Sequence, residues 1–262
     1  MAIDSSIAAP VAWPRRHVGK LFLLVAAVLW LTFVAPASPV FKALLQWSPA
    51  LVVGFAQNIL ISLVAIALGS LLGLLVGALA LSPLGLLRLP ARIWVQLFRN
   101  APWLVLIYFT TYVFPFEIHI GSAYIPFPDW IKVTIGLALP ASSNVAEIFR
   151  GAIASIPSTQ WEAARSLAFT RGQIFRSIIL PQCFKRMLPP WMNLYAVITM
   201  GTALASLVGV HDVIDTAQIA SNTVNMTGFT VVIYLSLLVL FFAWCYPISR
   251  LTQRLERRYA FY

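Results

Sequence analysis

Six stretches of the chain are almost wholly apolar: 21–34, 51–81, 93–114, 133–149, 194–210 and 230–246. Each is about as long as a helix must be to cross a hydrocarbon core of ~30 Å, so each predicts a transmembrane helix. The second run exceeds that length and is expected to tilt or to project from the bilayer. Between the fourth and fifth runs lie about forty residues of polar, helix-patterned sequence, with WEAARSLAFTRGQIFRSIILPQ (161–182) at their centre. A connection between two helices needs only about 2–8 residues, so this segment does more than join two spans.

The middle segment carries its own helix signals. Thr159 stands three residues before Glu162, and Thr170 three before Gln173. Both are capping-box spacings, in which the hydroxyl and the later side chain each accept a hydrogen bond from an otherwise free backbone N–H. They predict one helix from about Gln160 and a second from about Arg171. The second ends where Pro181 lacks the N–H that would continue it. Ile174, Phe175, Ile178 and Ile179 form one stripe of this helix, and Arg171 and Arg176 point elsewhere. Two such helices form either a rigid knob for a soluble partner or an element lying on lipid headgroups.

Charge fixes the expected orientation. With the amino terminus inside and six spans threaded, every lysine and arginine falls on the inside except Lys42 and Lys132. Cytoplasmic loops carry the excess of basic residues, so both termini and the middle segment are expected in the cytoplasm. Arg15 and Arg16 precede the short first run, and Ala35-Pro36-Ala37 follows it, as in a cleavable signal peptide. The proline inside that site and the long polar lead favour a retained span at 21–35 behind a tail at 1–20. The 262 residues are 60% hydrophobic and 10% charged, with mean hydropathy +0.86. A soluble domain carries ~25% charged residues. The net charge of +10 therefore reflects topology and not a nucleic-acid partner.

Few residues suggest other chemistry. Cys183 and Cys245, and His17, His119 and His211, are scattered without metal-ligand or disulfide spacing. No G-x-x-x-x-G-K-[ST] phosphate loop occurs in the chain. Gly69, Gly73 and Gly77 repeat a small-xxx-small spacing that lets another helix approach, either within the chain or from a second subunit. Ser142, Ser143 and Asn144 make a polar patch in the fourth run. Glu147 and Arg150 share a helix face, as an ion pair or as pore groups. Outside, Glu117, Asp129, Asp212 and Asp215 are either solvated loop residues, an acidic vestibule for cationic solutes, or a docking surface.

Glu162-Ala163-Ala164, followed by Ala168 and then Ile178-x-Leu180-Pro181, resembles the EAA motif of binding-protein-dependent ABC importer permeases. Ala168 stands where the family has glycine. A left-handed turn costs alanine ~1 kcal/mol more, which shifts the expected break toward residues 169–170. Phe98-Arg99-Asn100-Ala101-Pro102 is similar to the Phe-Arg-Asn-Thr-Pro segment of the polar amino acid branch. Ala146-Glu147-Ile148-Phe149-Arg150-Gly151 is similar to its Ala-Glu-x-x-Arg-Gly segment. Leu188-Pro189-Pro190, Asn193 and Leu204-Ala205-Ser206 match as well, so the resemblance covers 54–258.

The resemblance implies an all-α polytopic membrane protein with about six transmembrane helices. These comprise a five-helix type I ABC importer permease core at 50–250 and one extra N-terminal span. The EAA loop at 158–182 is the implied cytoplasmic coupling helix, and 251–262 the cytoplasmic tail. The location is the cell inner membrane, multi-pass. Implied partners are a cytoplasmic ABC ATPase, a second permease (self or sister), a periplasmic or lipid-anchored solute-binding protein, membrane lipid and an amino acid solute. ATP and Mg belong to the ATPase, and no cofactor or metal to this chain. Glu162 is the implied main ATPase contact. Ala163 and Ala164 allow close approach, and Arg165 and Arg171 pair with acidic groups. Arg99, Asn100, Ser142, Ser143, Asn144, Glu147 and Thr202 are the candidate translocation path. Met200-Gly201-Thr202-Ala203-Leu204 stands where relatives carry Lys-x-Thr-Ser-Leu, so one basic charge is missing there. A secondary transporter or channel is the rival, but it needs no EAA loop. A membrane enzyme needs a clustered nucleophile or acid/base pair that this sequence lacks.

Overall fold

The structure, a computed structural model, describes residues 38–120 and 123–259. The tail at 1–20 and the extra span at 21–35 lie outside the described residues. The rest is a helical bundle in the order α1 Pro39–Ala80, α2 Gly85–Asn100, α3 Trp103–Val113, a β-hairpin, α4 Asp129–Ala154, α5 Ser158–Ser166, α6 Arg171–Val208, α7 Val213–Val224 and α8 Thr227–Tyr259.

The long second run is longer still. α1 has 42 residues, about 63 Å at 1.5 Å per residue. Ser38 caps its start by accepting from Phe41 N–H at 3.2 Å, and Pro39 sits in the first turn, where its missing N–H costs nothing. Pro49 lies inside the helix and cannot donate to the Leu45 carbonyl. The Ser48 hydroxyl donates there instead, at 2.8 Å.

α4 is the central helix of the bundle. Gly69, Gly73 and Gly77 of α1 all face it. A Cβ at Gly69 would lie 2.5 Å from Ala141 Cβ, one at Gly73 2.5 Å from the Ser142 carbonyl oxygen, and one at Gly77 3.0 Å from Phe149 Cδ1. The glycine stripe thus packs two helices of one chain. The core runs through Ile61, Ala65 and Ile66 of α1, Ile107 of α3, Val133, Leu137, Ala141 and Val145 of α4, and Leu194 and Ile198 of α6.

Three expectations are corrected. First, the run 93–114 is not one helix. It breaks into α2 and α3 at Ala101, which is extended (φ −77°, ψ 137°) because Pro102 disfavours helix at the residue before it. Second, the described residues are not all helical. Glu117–Ile120 (β1) pairs antiparallel with Ala123–Pro126 (β2), with Glu117 opposite Pro126 and Ile118 opposite Ile125, in a segment rich in β-branched and aromatic residues. Third, Pro181 does not end the helix that begins at Arg171. Residues Ile174–Ile179 widen to π-helix, in which the Leu180 N–H donates to the Phe175 carbonyl, and the chain continues as one 38-residue element.

Among the described residues three helices, α1, α6 and α8, are long and apolar enough to cross a membrane. α4 is long enough, but its surface is covered by neighbours and carries Ser142, Ser143, Asn144, Glu147 and Arg150. α8 extends through most of the expected tail, to Tyr259.

Candidate functional site

The middle segment forms a compact knob at one end of the bundle. α5 starts at Ser158 behind Pro157 with no side-chain cap, so the Thr159–Glu162 capping box does not form. Pro157, fixed near the helical φ, starts the helix in its place. The second box does form: Thr170 N–H donates to Gln173 Oε1 at 2.9 Å, and Gln173 N–H donates to Thr170 Oγ1 at 3.4 Å.

The turn between α5 and α6 sits at Ala168 itself and not at 169–170. Ala168 is left-handed, at φ 58°. Its N–H donates to the Arg165 carbonyl at 2.9 Å, and Phe169 N–H donates to the Ala164 carbonyl at 3.2 Å. This is the Schellman pair of bonds that closes a helix, and its left-handed position is the one glycine usually takes.

The knob has its own core: Ala164 of α5 and Ile174, Ile179 and Cys183 of α6 are buried with Ala152 and Ile156, and Trp161, Phe175, Ile178 and Met187 pack against them. Gln182 Nε2 donates to Gln160 Oε1 and to the Ile178 carbonyl. Arg186 Nη1 donates to the Ser155 carbonyl at 2.6 Å and to its hydroxyl at 2.9 Å. α5 is therefore tied to α6 and, through Ser155, to the end of α4. Glu162, Ala163 and Arg165 are exposed on its free face, whereas Ala164 is 3% exposed and turns inward. Leu180 and Pro181 are exposed and Ile178 half-buried. A cleft of about 480 Å³ opens between the two knob helices, with Trp161, Ile174 and Phe175 beside Arg165 and Arg171.

The candidate path residues divide into two groups. Glu147 lies between two guanidinium groups: Arg150 Nη1 at 2.6 Å on its own helix and Arg99 Nη1 at 3.4 Å from α2. Asn100, beside Arg99, is exposed and donates to the Gln96 carbonyl at 2.7 Å, and Asn144 donates to the Pro140 carbonyl at 2.8 Å. The other group is closed off. Ser142 and Ser143 are fully buried and donate to the Leu139 and Pro140 carbonyls, and Ser142 also accepts the Trp94 indole N–H at 3.0 Å. Thr202 is buried too, and donates to the Thr199 carbonyl at 2.7 Å. Gly201 gives Trp103 room: a Cβ there would meet its ring at 2.9 Å.

A junction at the opposite end of the bundle joins Thr202 and Asp212 through Asn58, a residue that sequence reasoning passed over. Asn58 of α1 donates to Thr202 Oγ1 at 3.1 Å and to Asp212 Oδ2 at 3.0 Å, and accepts from Val213 N–H at 3.0 Å. Asp212 caps α7 by accepting from Asp215 N–H at 2.9 Å. Gly54 lets this backbone approach, since a Cβ there would lie 2.8 Å from Val213 N. Asp212 is completely buried, and burial holds its carboxyl above the usual carboxylate range, against the lowering effect of the donated hydrogen bonds. It is not a solvated or vestibule acid. Asp129 pairs with the buried Lys132 at 2.9 Å, and Asp215 lies 2.7 Å from His211. The available signal was a lone asparagine inside an apolar run, where an unpaired amide is costly. Among the described residues no cluster of three metal-ligating side chains occurs.

Comparison with known proteins places this architecture. Residues 69–260 match the family described as binding-protein-dependent transport system inner membrane component, and the chain belongs to that family. It is a transport subunit and not an enzyme. The chain is 31% identical over 221 residues to the probable amino-acid ABC transporter permease protein YckA of Bacillus subtilis (84% of this chain, 94% of that one). It is 28% identical over 208 residues to the probable glutamine ABC transporter permease protein GlnP of the same organism (78% and 91%). Among solved structures it is similar to an amino acid ABC transporter crystallised with histidines, with TM-score 0.72, 26% identity, and 83% and 98% of the two chains covered. The inward-facing methionine ABC transporter MetNI shares the fold at TM-score 0.61 and 19% identity, over 80% and 96%.

Proposed function

We propose that this chain is the permease subunit of an ATP-driven importer that carries a polar amino acid or a related small solute across the cytoplasmic membrane. Six spans, with both termini in the cytoplasm, complete the reading. A separate ABC ATPase uses ATP and Mg, a solute-binding protein delivers the solute, and a second permease, self or sister, closes the path. The relatives' names support the amino acid class.

One observation carries the coupling role. α5 presents Glu162 on an exposed face and is tied by side-chain hydrogen bonds and a local core to α4 and α6. An exposed helix held this way moves with the spans as a body, so a push from a docked ATPase reaches the bundle without being absorbed in a flexible linker. Ala163 and the Arg165–Arg171 cleft flank the contact. The path runs past Arg99, Asn100, Asn144 and Glu147, where two arginines share one carboxylate. Ser142, Ser143 and Thr202 support it from behind through bonds within the chain.

The test is Glu162→Lys in the reconstituted complex with its binding protein. The variant inserts normally and loses solute-stimulated ATP hydrolysis. Full stimulation and transport by the variant would sink the docking role.

A further inference from the structure

We propose that the last turns of α8 form a binding face for the headgroups of anionic phospholipids. Arg250, Arg254, Arg257 and Arg258 recur at helical spacing and fall within an arc of about 100° around the helix. The opposite side packs on the bundle: Ile248 lies against the core, Thr252 is buried, and Leu255 and Tyr259 are half-buried. All four arginines are exposed, and none makes an ion pair among the described residues. Arg250 stands over the Tyr246 ring, 5.6 Å from its centroid. Glu256, the only acid between 247 and 259, falls outside the arginine arc.

Depth selects the ligand. Asn58 bonds to Thr202 and Ser70 to Trp191, so α1 and α6 run antiparallel. The Trp244 indole N–H donates to Tyr195 Oη at 3.3 Å, and Met200 and Ala203 share a cleft with Leu237 and Leu238, so α8 in turn runs antiparallel to α6. At equal rise per residue, 250–258 lie level with roughly 189–181 of α6 and roughly 71–79 of α1. In that stretch of α1, Leu71 is 71% exposed and Leu75 57%, the kind of surface a membrane-spanning chain turns to hydrocarbon. The arginine face therefore starts at the edge of the acyl region and not in bulk water. α5 meets α6 at 174–183, so the face lies on the membrane side of the knob, and a protein docked on α5 reaches at most its last arginines. A guanidinium at that depth is tolerated when its apolar stem carries it to a phosphate, which it grips through two parallel N–H···O bonds. Four of them over about 12 Å of helix, with no acid on their face, match headgroups of net negative charge better than zwitterionic ones. The inference rests on the chain spanning a membrane and not on its solute or on the docking role of α5.

The experiment uses the complete transport complex in nanodiscs of palmitoyl-oleoyl phosphatidylcholine. Each preparation is doped with a trace of phosphatidylglycerol or phosphatidylcholine bearing a diazirine near the headgroup end of one acyl chain. After illumination, the labelled peptides are identified by mass spectrometry. The phosphatidylglycerol probe labels residues 246–259 in preference to the phosphatidylcholine probe. Arg254→Gln lowers phosphatidylglycerol labelling by about fivefold and leaves phosphatidylcholine labelling unchanged. The paired exchange Arg254→Glu with Glu256→Arg keeps the net charge, and with it the charge that sets orientation, but moves a cation off the face. It lowers phosphatidylglycerol labelling by at least about fivefold. Both changes are at exposed positions, so either one alone decides the matter if the other fails to fold. Equal labelling by the two probes, or a preference that survives the paired exchange, would overturn the proposal. So would a crosslink from Arg254→Cys to an ATPase or to a second permease, because the face would then be a protein interface.

Discussion

At the scale of single residues, two positions bear strain or cost that can be measured. Ala168 adopts a left-handed conformation in a Schellman turn, where a Cβ costs about 1 kcal/mol or more. Ala168→Gly is expected to stabilise the knob by about 1 kcal/mol, seen as slower amide exchange across 155–186 in the detergent-solubilised protein. Unchanged or faster exchange would mean that the turn is not the weak point. Asp212 is the second position. Its folded carboxyl is raised by burial, so the folded state holds its proton to higher pH than the unfolded chain does. Stability then falls as pH rises from the ordinary carboxylate value of about 3.9 through the raised one, and is level above it. Thermal unfolding of wild type and Asp212→Asn should show the wild-type advantage shrinking with rising pH in that window. An advantage that grows with pH would reverse the assignment.

At the scale of elements, the glycine stripe sets how closely α1 and α4 pack. At Gly73 the obstacle is the Ser142 backbone carbonyl, which cannot swing aside. Gly73→Leu should therefore separate the helices and cost at least about 1–3 kcal/mol, with loss of folded protein in membranes. Gly151→Ala is the matched control. Nothing lies within 4 Å of its added Cβ, and removing a helical glycine gains roughly 0.5–1 kcal/mol. Equal yields from the two variants would contradict the packing account. Much of the element plan was legible from apolar periodicity, because lipid and core both select apolar residues. Two of the misreadings came from proline. Pro102 breaks a run that hydropathy reads as continuous, while Pro181 is absorbed by a π-turn that local sequence does not announce. The Thr170 cap was legible because it is local chemistry. The Asn58–Asp212 junction was not, because its partners stand 154 residues apart.

At the scale of the whole molecule, charge and burial divide the bundle into two ends. The end bearing α5 carries the arginines of α2, α5, α6 and the last turns of α8. The far end is tied by the buried Asn58–Asp212 junction and by Lys132, which pairs with Asp129 and lies 3.7 Å from the Phe116 ring centroid. Between them α4 contacts most of the bundle, and the knob hangs on its C-terminal end. A push on α5 thus reaches α4 and α6 together, the geometry an energy-coupling subunit needs.

The central claim is that this knob is a docking element for an ATPase on another chain. It is tested most directly by purifying the tagged protein from its own membranes in mild detergent and identifying the bound subunits by mass spectrometry. The account predicts a stoichiometric ABC ATPase, together with a second permease or a second copy of this chain, and loss of the ATPase in Glu162→Lys. Recovery of the chain with no ATPase, even after crosslinking in the membrane, would contradict it.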